Sequence, residues 1–296
     1  MIKDIYESKF FKITHTLEES GPHPTIPYDY YDNTFTITAL LQGSGSCFIE
    51  GNSYPLSSGD LVLIGLDEIR SFRFEPEGCH ERISLYFSSA VLSPLWEYEL
   101  PFMQMFRAHP PGIGNKYTPE DYGSGKVTPI FRELCTLVHQ AVSEESGQTS
   151  ANSIQEARIH LLLLQLLFAL YDAHEKFQFP ARNYKNDPLI WEICRYIHEN
   201  LTETLTYQHL QEHFSVSRYQ LTEVFYRNTG MTLTEYILQK RLIKVASLVR
   251  NGSGIEHAAF DAGFRNYSHF YKEFRRHYHI SPREYYANRI SINNLK

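Results

Sequence analysis

An internal repeat in the last hundred or so residues constrains the fold of this 296-residue sequence more than any other feature. Five positions recur 49 residues further along the chain with the same or a similar side chain. The first copy contains Leu221, Phe225, Arg227, Thr232 and Tyr236, and the second contains Phe270, Phe274, Arg276, Ser281 and Tyr285. Large apolar residues four positions apart lie on one face of a helix. Each copy therefore predicts a helix with the same buried face.

The sequence around the repeat predicts a series of helices. They span residues 189–199, 206–213, 217–228, about 232–250, 255–262 and 266–277, with a final helix after 281. Ser217 and Gln220 have the spacing of a capping box, and Pro282 suits the first position of a helix. In each copy a short helix, a tight turn and a longer helix follow one another, which is the helix-turn-helix arrangement. The second helix of such a pair enters the major groove of DNA.

Charge is divided unevenly along the chain. The whole sequence has a formal charge of −6. Residues 187–296 contain 14 Lys and Arg against 11 Asp and Glu, which gives +3, so residues 1–186 carry −9. A basic part beside an acidic part suggests a division of labour, with nucleic acid bound by the C-terminal part.

Short strands are the pattern from about residue 10 to residue 90. Residues 35–43 and 81–88 alternate in polarity, and turns are marked by Gly51-Asn52 and Ser58-Gly59-Asp60. Many short strands with glycine-containing turns predict a β-sandwich or barrel.

The spacing of apolar residues changes twice in the middle of the chain. Residues 101–125 are rich in Pro and Gly, so they predict an irregular connector. Residues 129–142 and 153–171 repeat their apolar side chains at helical spacing. Residues 179–188 are polar, contain two prolines and predict a linker before the C-terminal helices.

Cysteine usage and hydropathy indicate a cytoplasmic protein without a membrane segment. Cys47, Cys79, Cys135 and Cys194 lie far apart and form no C-x-x-C pair, which is typical of reduced thiols. The first residues lack the apolar run of a signal peptide. The most apolar stretch, residues 161–170, is shorter than the roughly 20 residues that a membrane-spanning helix needs.

Residues 205–286 resemble the DNA-binding domain of the AraC/XylS family of bacterial transcription regulators. The resemblance is carried by LTYQHL at 205–210 and by positions at the family's spacing, namely Gly230, Arg241 with Ala246, Ile255, Ala259, Gly263-Phe264, Ser268 with Phe270, and Ser281-Pro282. Gln211, Glu223 and His279 depart from the family's usual residues. Glu223 bears on sequence preference, and the other two bear on packing.

The resemblance and the helix geometry together give a set of DNA-contacting residues. The predicted set is Ser217, Arg218, Tyr219, Thr222, Glu223, Arg227, Asn266, Ser268, His269, Lys272, Arg275 and Arg276. Lys suits guanine edges, and a carboxylate can accept from a cytosine amino group. An alternative for Glu223 is a solvated ion pair with Arg227 at i+4. We expect the second helix-turn-helix unit to supply more of the electrostatic affinity and the first to contribute discrimination.

Residues 53–74 resemble the cupin-like sensor barrel that precedes this DNA-binding domain in many family members. Metal-binding cupins carry an H-x-H pair where this chain has PYDYYDNTFTI (27–37), and a later His where it has Arg70. We therefore expect no metal, no cofactor and no enzymatic activity. A barrel mouth remains a candidate site for a polyol, sugar or small anion, with predicted contacts Tyr28, Tyr30, Thr36, Thr38, Arg70, His80 and Arg82. The alternative for each is an ordinary core or surface residue.

The predicted fold is a multidomain α+β chain. A cupin-like β-barrel is expected over residues 1–125, a helical dimerisation region over 126–178, a linker over 179–188, and an all-α domain with two helix-turn-helix units over 189–296. The resemblance implies a homodimer, for which the candidates are Leu161, Leu164, Leu167 and Phe168, although the same helices can simply cover the barrel.

The expected function is a sequence-specific DNA-binding regulator that responds to a small polar effector. Its partners would be double-stranded DNA, a small molecule such as a carbohydrate, and RNA polymerase. A ligand-independent activator of the same family is the nearest alternative. A cupin enzyme fused to a DNA tether and an architectural DNA-bending protein are the alternatives from other classes.

Overall fold

The computed structural model describes residues 2–18, 26–29, 34–75, 78–106, 110–143, 149–176 and 187–293. The chain divides into two units, Met1–Lys185 and Asn186–Lys296, each with its own core. The expected fold class is confirmed, because the first unit is built on β-sheets and the second is entirely helical where it is described. Most of the predicted linker, residues 179–186, lies outside the described residues, and Pro188 is already the first residue of a helix.

Ten strands are seen in the described part of the N-terminal unit. They are β1 (Ile2–Glu7), β2 (Phe11–Glu18), β3 (Ile26–Asp29), β4 (Phe35–Gln42), β5 (Ser44–Ile49), β6 (Asn52–Ser57), β7 (Leu61–Ile64), β8 (Arg70–Phe74), β9 (His80–Phe87) and β10 (Lys116–Tyr117). They form a six-stranded sheet in the order β1-β2-β9-β4-β7-β10 and a four-stranded sheet in the order β3-β8-β5-β6. All the pairings are antiparallel.

Alternation along the strands separates two cores. On the six-stranded sheet, odd-numbered residues such as Ile37, Ile83 and Leu85 pack beneath the helices of the unit. Even-numbered residues such as Val62 on the same sheet meet Phe72 and other side chains of the four-stranded sheet. Successive side chains of a strand point to opposite faces, so one sheet serves both cores. The second core is the interior between the two sheets.

The described residues of this unit also form three α-helices, namely α1 (Pro119–Tyr122), α2 (Ser124–Ser143) and α3 (Thr149–Lys176). Two 3-10 helices, Ser89–Tyr98 and Phe102–Phe106, precede them. The prediction of an irregular connector over 101–125 is therefore wrong in part, because this stretch contains a 3-10 helix, β10, α1 and the start of α2. Pro119 and Gly123 stand at the start and the end of α1, where they are well tolerated, whereas residues 110–114 form a turn.

Helix α3 is longer than the sequence predicts. Its segment Ser153–Lys176 is long and apolar enough to cross a membrane by length and composition alone, a test that a buried core helix also passes. One face of the segment, including Ile159, Leu163 and Leu170, is fully buried in the core of the unit. The helix therefore also fits the description of a core helix that covers the six-stranded sheet.

The C-terminal unit contains seven helices among its described residues. They are α4 (Pro188–Glu199), α5 (Tyr207–Phe214), α6 (Arg218–Thr229), α7 (Leu233–Arg250), α8 (Ile255–Asp261), α9 (Tyr267–Tyr278) and α10 (Pro282–Asn293). The repeat is visible in the packing. The rings of Phe225 and Tyr236 meet edge to face at 5.3 Å, and those of Phe274 and Tyr285 meet edge to face at 5.2 Å. Residues 49 positions apart therefore make the same core contact.

Candidate nucleic-acid interface and effector site

Two helix-turn-helix units are present in the C-terminal unit. The first consists of α5 and α6, the second of α8 and α9, and α7 joins them. The recognition helices α6 and α9 begin at equivalent caps. Ser217 Oγ accepts from the backbone N–H of Gln220 at 3.2 Å, and Asn266 Oδ1 accepts from that of His269 at 2.8 Å. These caps satisfy amides that a helix N-terminus leaves unbonded.

The first recognition helix exposes the residues that the sequence assigns to DNA. Tyr219 is 76% exposed, and Arg218 and Thr222 are also exposed. The guanidinium of Arg218 lies over the ring of Tyr207 on α5, at 5.1 Å. Its charge is thereby held at the start of α6, where the chain approaches the predicted DNA face.

Glu223 forms the ion pair that the sequence allows as its alternative role. Its Oε1 lies 2.7 Å from Nη2 of Arg227, one turn further along α6. Both side chains remain partly in solvent, where a pair of this kind contributes only about 0.3–0.5 kcal/mol. The carboxylate is therefore free to exchange this partner for a DNA base at little cost.

The second recognition helix is more basic than the first. Ser268, His269, Lys272 and Arg275 are exposed on α9. Arg276 is also exposed, and its Nη2 lies 3.1 Å from Oε2 of Glu273. Lys272 stands 49 positions after Glu223, so equivalent places on the two helices carry opposite charges.

The loop before α5 connects the two helix-turn-helix units through hydrogen bonds. The guanidinium of Arg241 on α7 donates to the backbone oxygens of Leu201 at 3.1 Å and Glu203 at 2.8 Å. Burial, together with the nearby charge of Arg265, lowers the pKa of Arg241 from its ordinary value. Arg265, in the turn of the second unit, donates to Thr204 Oγ1 at 2.8 Å. The sequence marks Arg241 as a family position but does not reveal this role.

Five of the predicted effector contacts lie on one surface of the N-terminal unit. They are Thr36, Thr38, Arg70, His80 and Arg82, and each stands at an even-numbered position that faces the interior between the sheets. Tyr30 lies outside the described residues, as does the side chain of Tyr28. The structure thus brings together all of the predicted contacts whose side chains it describes.

Arg70 occupies an enclosed corner of this interior. Only 2% of the residue is exposed, and its guanidinium lies 5.8 Å from the centre of the Tyr86 ring. Thr36 pairs with Tyr86 across the strands and is fully buried. Its hydroxyl has no hydrogen-bond partner among the described residues. A buried hydroxyl without a partner is costly, and a bound polar molecule would relieve that cost.

Arg82 and His80 lie further along the same face. Burial lowers the pKa of Arg82, although Glu18 opposes this effect from 3.6 Å. The guanidinium of Arg82 lies 4.9 Å from the centre of the Phe74 ring. His80 Nε2 is 3.1 Å from the backbone oxygen of Ser44, where it can donate. These polar groups are interleaved with aromatic rings, as is usual in small-molecule sites.

Three residues of this interior escape the sequence prediction. Ser84 Oγ is 3.0 Å from Thr38 Oγ1, Tyr86 lies beneath Arg70, and Glu18 pairs with Arg82. Ser84 and Tyr86 share the alternation of β9 with Arg82, which is a signal that the sequence contains. Glu18 could not be found this way, because its place depends on how β2 pairs with β9.

The candidate dimer residues of α3 divide into two sets. Leu164 and Leu167 are buried in the unit's own core, whereas Leu161 is 66% and Phe168 is 44% exposed. Ile154, 60% exposed, extends the exposed set with a spacing of seven residues. One helix therefore covers the sheet with one face and presents an apolar stripe with another.

An open groove of about 690 Å³ lies elsewhere on this unit, between α1, the start of α2 and the end of α3. None of the predicted effector residues lines it. Asp121, Asp172 and Lys176 give it a polar wall.

Two family descriptions match the chain. Residues 17–167 match the "AraC-like ligand binding domain", and residues 210–288 match a "Helix-turn-helix domain". The first match alone covers half of the chain.

Individual relatives share this layout along nearly their whole length. The chain is 27% identical to the HTH-type transcriptional activator RhaS of Escherichia fergusonii, over 92% of each sequence. It is 21% identical to the Msm operon regulatory protein of Streptococcus mutans, over 86% of this chain and 84% of that protein. Among solved structures, ToxT from Vibrio cholerae O395 is 15% identical and covers 94% of this chain and 97% of its own, with a TM-score of 0.38.

Proposed function

The chain belongs to the AraC family of transcription regulators, and from this premise we propose that its two recognition helices read neighbouring major-groove segments under the control of a small molecule. The resemblance inferred from residues 205–286 is thereby confirmed, and so is the general function, a DNA-binding regulator with a ligand-binding domain. The proposal concerns which residues act, what the effector is and how copies assemble.

The observation that carries the DNA-binding proposal is the exposure of equivalent side chains on α6 and α9. Of the twelve predicted contacts, every one except the half-buried Glu223 is exposed. Lys272, Arg275 and Arg276 place three cations on α9, suited to phosphates and guanine edges. Apart from the caps at Ser217 and Asn266 and the ring contacts of Arg218 and His269, these side chains are directed at solvent, where they are available to DNA.

The effector proposal rests on the Thr36, Tyr86 and Arg70 corner of the barrel interior. A buried guanidinium favours a ligand with a carboxylate or phosphate, and the neighbouring hydroxyls suit a polyol. We therefore propose a sugar or a small anion, such as a sugar acid, as the effector. The chain would then act by a population shift between DNA-binding states, with no enzymatic step of its own.

The exposed stripe on α3 supports a homodimer. Ile154, Leu161 and Phe168 are large, apolar and seven residues apart, so they lie along one seam of the helix. A second copy of α3 would bury this seam against itself in a two-fold interface. We further propose that the protein is a cytoplasmic activator that contacts RNA polymerase, in line with the activator among its relatives.

Selection of binding sites from a random duplex library tests DNA recognition. The full chain should enrich two conserved segments whose centres are about one helical turn apart. Enrichment of no sequence, with binding of similar strength to every duplex, would instead favour an architectural DNA-bending protein. A Leu161→Glu variant should shift the molar mass in solution from dimer to monomer, whereas Gln140→Glu, at an exposed glutamine of α2, should not.

A thermal-shift screen of neutral sugars, sugar acids and sugar phosphates tests the effector proposal. A ligand present at a hundred times its Kd stabilises the folded chain by about 2.7 kcal/mol, which is readily measured. The response to an acidic sugar should disappear in Arg70→Gln and persist in Arg73→Gln, because Arg73 lies on the same strand with its side chain exposed. If no compound in these classes shifts the transition, the ligand-independent activator becomes the better description.

A further inference from the structure

A cluster of metal-ligating side chains lies on the outer face of the six-stranded sheet, away from the barrel interior. His15 comes from β2, Glu81 from β9 and Cys135 from α2. One nitrogen of the imidazole, one carboxylate oxygen and the sulfur all lie within 4.8 Å of one another. His15 and Glu81 are odd-numbered, so they face α2 together with Ile13 and Ile83. The cluster therefore lies between the sheet and α2.

The ring of His15 is the centre of this cluster. The residue is only 7% exposed, and its Nε2 is 3.1 Å from Glu81 Oε1. Its Nδ1 is buried and makes no hydrogen bond with a described residue. Asp4 Oδ2 lies 3.6 Å from Nδ1, which is beyond hydrogen-bond distance but close enough for an electrostatic contact. A small shift would let Nδ1 donate to Asp4 while Nε2 remains available as a ligand.

Further polar side chains surround two of the three ligands, Glu81 and His15. Arg132 Nη1 donates to Glu81 Oε2 at 2.5 Å and leaves the other oxygen directed at His15. His139, one turn after Cys135 on α2, lies 3.0 Å from Asp4 Oδ2 through its Nδ1. Carboxylates bonded to ligating histidines, and hydrogen bonds to ligating carboxylates, are the usual surroundings of protein metal sites.

We propose that His15, Glu81 and Cys135 bind a divalent transition-metal ion of the zinc class. A thiolate combined with an imidazole and a carboxylate suits Zn²⁺ or Co²⁺ and does not suit Mg²⁺ or Ca²⁺, which prefer oxygen ligands alone. Bonds of about 2.0–2.3 Å place tetrahedral ligands roughly 3.5 Å apart, so even a separation of 4.8 Å needs to close by only about 1.3 Å. Three protein ligands leave a coordination position for water.

Charge balance favours a divalent cation at this place. A thiolate at Cys135, with Glu81 and Asp4, supplies three negative charges, and Arg132 supplies one positive charge. A dication therefore brings the sum of these charges to zero. Burial, reinforced by the Glu81 charge, raises the pKa of the Cys135 thiol to about 12, so binding must displace its proton.

A metal ion here would fasten α2 to β2 and β9, two strands that are far apart in the sequence. Asp4, His15 and Glu81 belong to adjacent strands, and Cys135 belongs to the helix that covers them. Arg70, the one cupin-histidine position whose side chain the structure describes, faces the barrel interior, so the cluster is separate from it. The expectation of a metal-free chain was based on the cupin-histidine positions alone.

Cobalt titration of the full chain tests the proposal, after the purified protein has been dialysed against a chelator. One equivalent of Co²⁺ should produce visible d–d bands of a tetrahedral site and a near-ultraviolet thiolate-to-cobalt band, and one equivalent of Zn²⁺ should remove both. Cys135→Ala should lose the thiolate band, whereas Cys47→Ala, a matched change at another buried cysteine of the same unit, should keep it. Asp4→Asn should weaken binding by roughly 10–100-fold.

The competing description is a metal-free cluster in which a protonated His15 bridges Glu81 and Asp4. In that case Co²⁺ gives no saturable band at one equivalent, and neither Co²⁺ nor Zn²⁺ raises the melting temperature of the chain. A thiolate band that survives in Cys135→Ala would also overturn the proposal, since the ion would then be held by another cysteine. Circular dichroism of each variant before titration establishes that it is folded.

Discussion

The two helix-turn-helix units use glycine at opposite places. Each unit has one residue with a left-handed backbone in the turn between its helices and one after its recognition helix. In the first unit these are Ser215 (φ 54°) and Gly230 (φ 74°), and in the second they are Gly263 (φ 95°) and His279 (φ 62°). Glycine therefore occupies the cap in one unit and the turn in the other.

Space rather than backbone angle explains this exchange. A β-carbon on Gly230 would meet no atom within 4 Å, so a side chain is sterically allowed there, and the equivalent position 49 residues on indeed carries His279. A β-carbon on Gly263 would lie 2.5 Å from the backbone oxygen of Leu201 and 3.0 Å from Nε of Arg241. Gly263 is required in the turn of the second unit because the Leu201 backbone packs against it. Gly230, at the cap of the first unit, is favoured only because glycine adopts a positive φ without strain.

The largest expected effect is that of Gly263→Ala. The positive φ alone costs about 1–2 kcal/mol for an L-residue, and displacing the Leu201 backbone adds a further 1–3 kcal/mol. The helical unfolding transition of the full chain should move to much lower urea concentration, as followed by circular dichroism. A loss below about 1 kcal/mol would mean that the loop before α5 is not held against this turn.

Lys272→Ala should produce the next largest effect, on DNA affinity. Removing a cation from the base-reading position of α9 should weaken binding to the selected site by about 1–3 kcal/mol. The slope of the logarithm of the binding constant against the logarithm of the salt concentration should become shallower by about 1. Fluorescence anisotropy at several salt concentrations measures both. Lys244→Ala, at an exposed lysine of α7, is the matched control. Equal losses for the two lysines would remove Lys272 from the contact set.

Glu223→Gln tests the opposite charge at the equivalent position of α6. The change abolishes the ion pair with Arg227 at a small cost in stability and keeps the shape of the side chain. If Glu223 accepts a hydrogen bond from cytosine, discrimination at one base pair should fall by about 1 kcal/mol or more while total affinity holds or rises. Repeating the site selection with the variant would reveal this. If the variant selects the same DNA sequence, Glu223 serves only as the solvated partner of Arg227.

Substitutions at the residue after each recognition helix should have the smallest effect on stability. The changes in the two units should act in opposite directions. His279→Gly relieves left-handed strain but adds chain entropy to the unfolded state, so we expect a gain of roughly 0.5–1 kcal/mol. Gly230→Ala should cost about 1 kcal/mol. Both changes are measured in the same unfolding experiment as Gly263→Ala. Destabilisation by His279→Gly would show that the His279 side chain makes a contact worth more than the strain.

Local signals account for most of what the sequence predicts correctly. Ser217, Asn266 and Thr232 begin helices because short polar side chains can bond the first free amides, and this depends only on neighbours in the chain. The connector over 101–125 was predicted wrongly for a related reason. Its prolines and glycines are local signals too, but they mark the ends of short elements as readily as loops.

Contacts between distant segments mark the limit of prediction from sequence. Alternation places Thr36, Thr38 and Arg82 on one face, but it does not show that Arg70 is fully enclosed. That burial depends on the second sheet closing over the first. His15, Glu81 and Cys135 carry no common motif, and they meet only because β2 pairs with β9 and α2 crosses both. Leu161 and Leu164 look alike in the sequence, yet they lie on different faces of α3.

The bonds from Arg241 to the Leu201 and Glu203 carbonyls bear on how operators for this protein can change over time. These bonds leave the two recognition helices little freedom to move apart or to rotate. Adding one base pair between the two recognised segments turns one of them by roughly 35° around the DNA axis, since a turn takes about 10–10.5 base pairs. We expect two helices held by these bonds not to follow that rotation. The protein's binding sites should therefore diverge through base substitution, while the length of the spacer stays fixed.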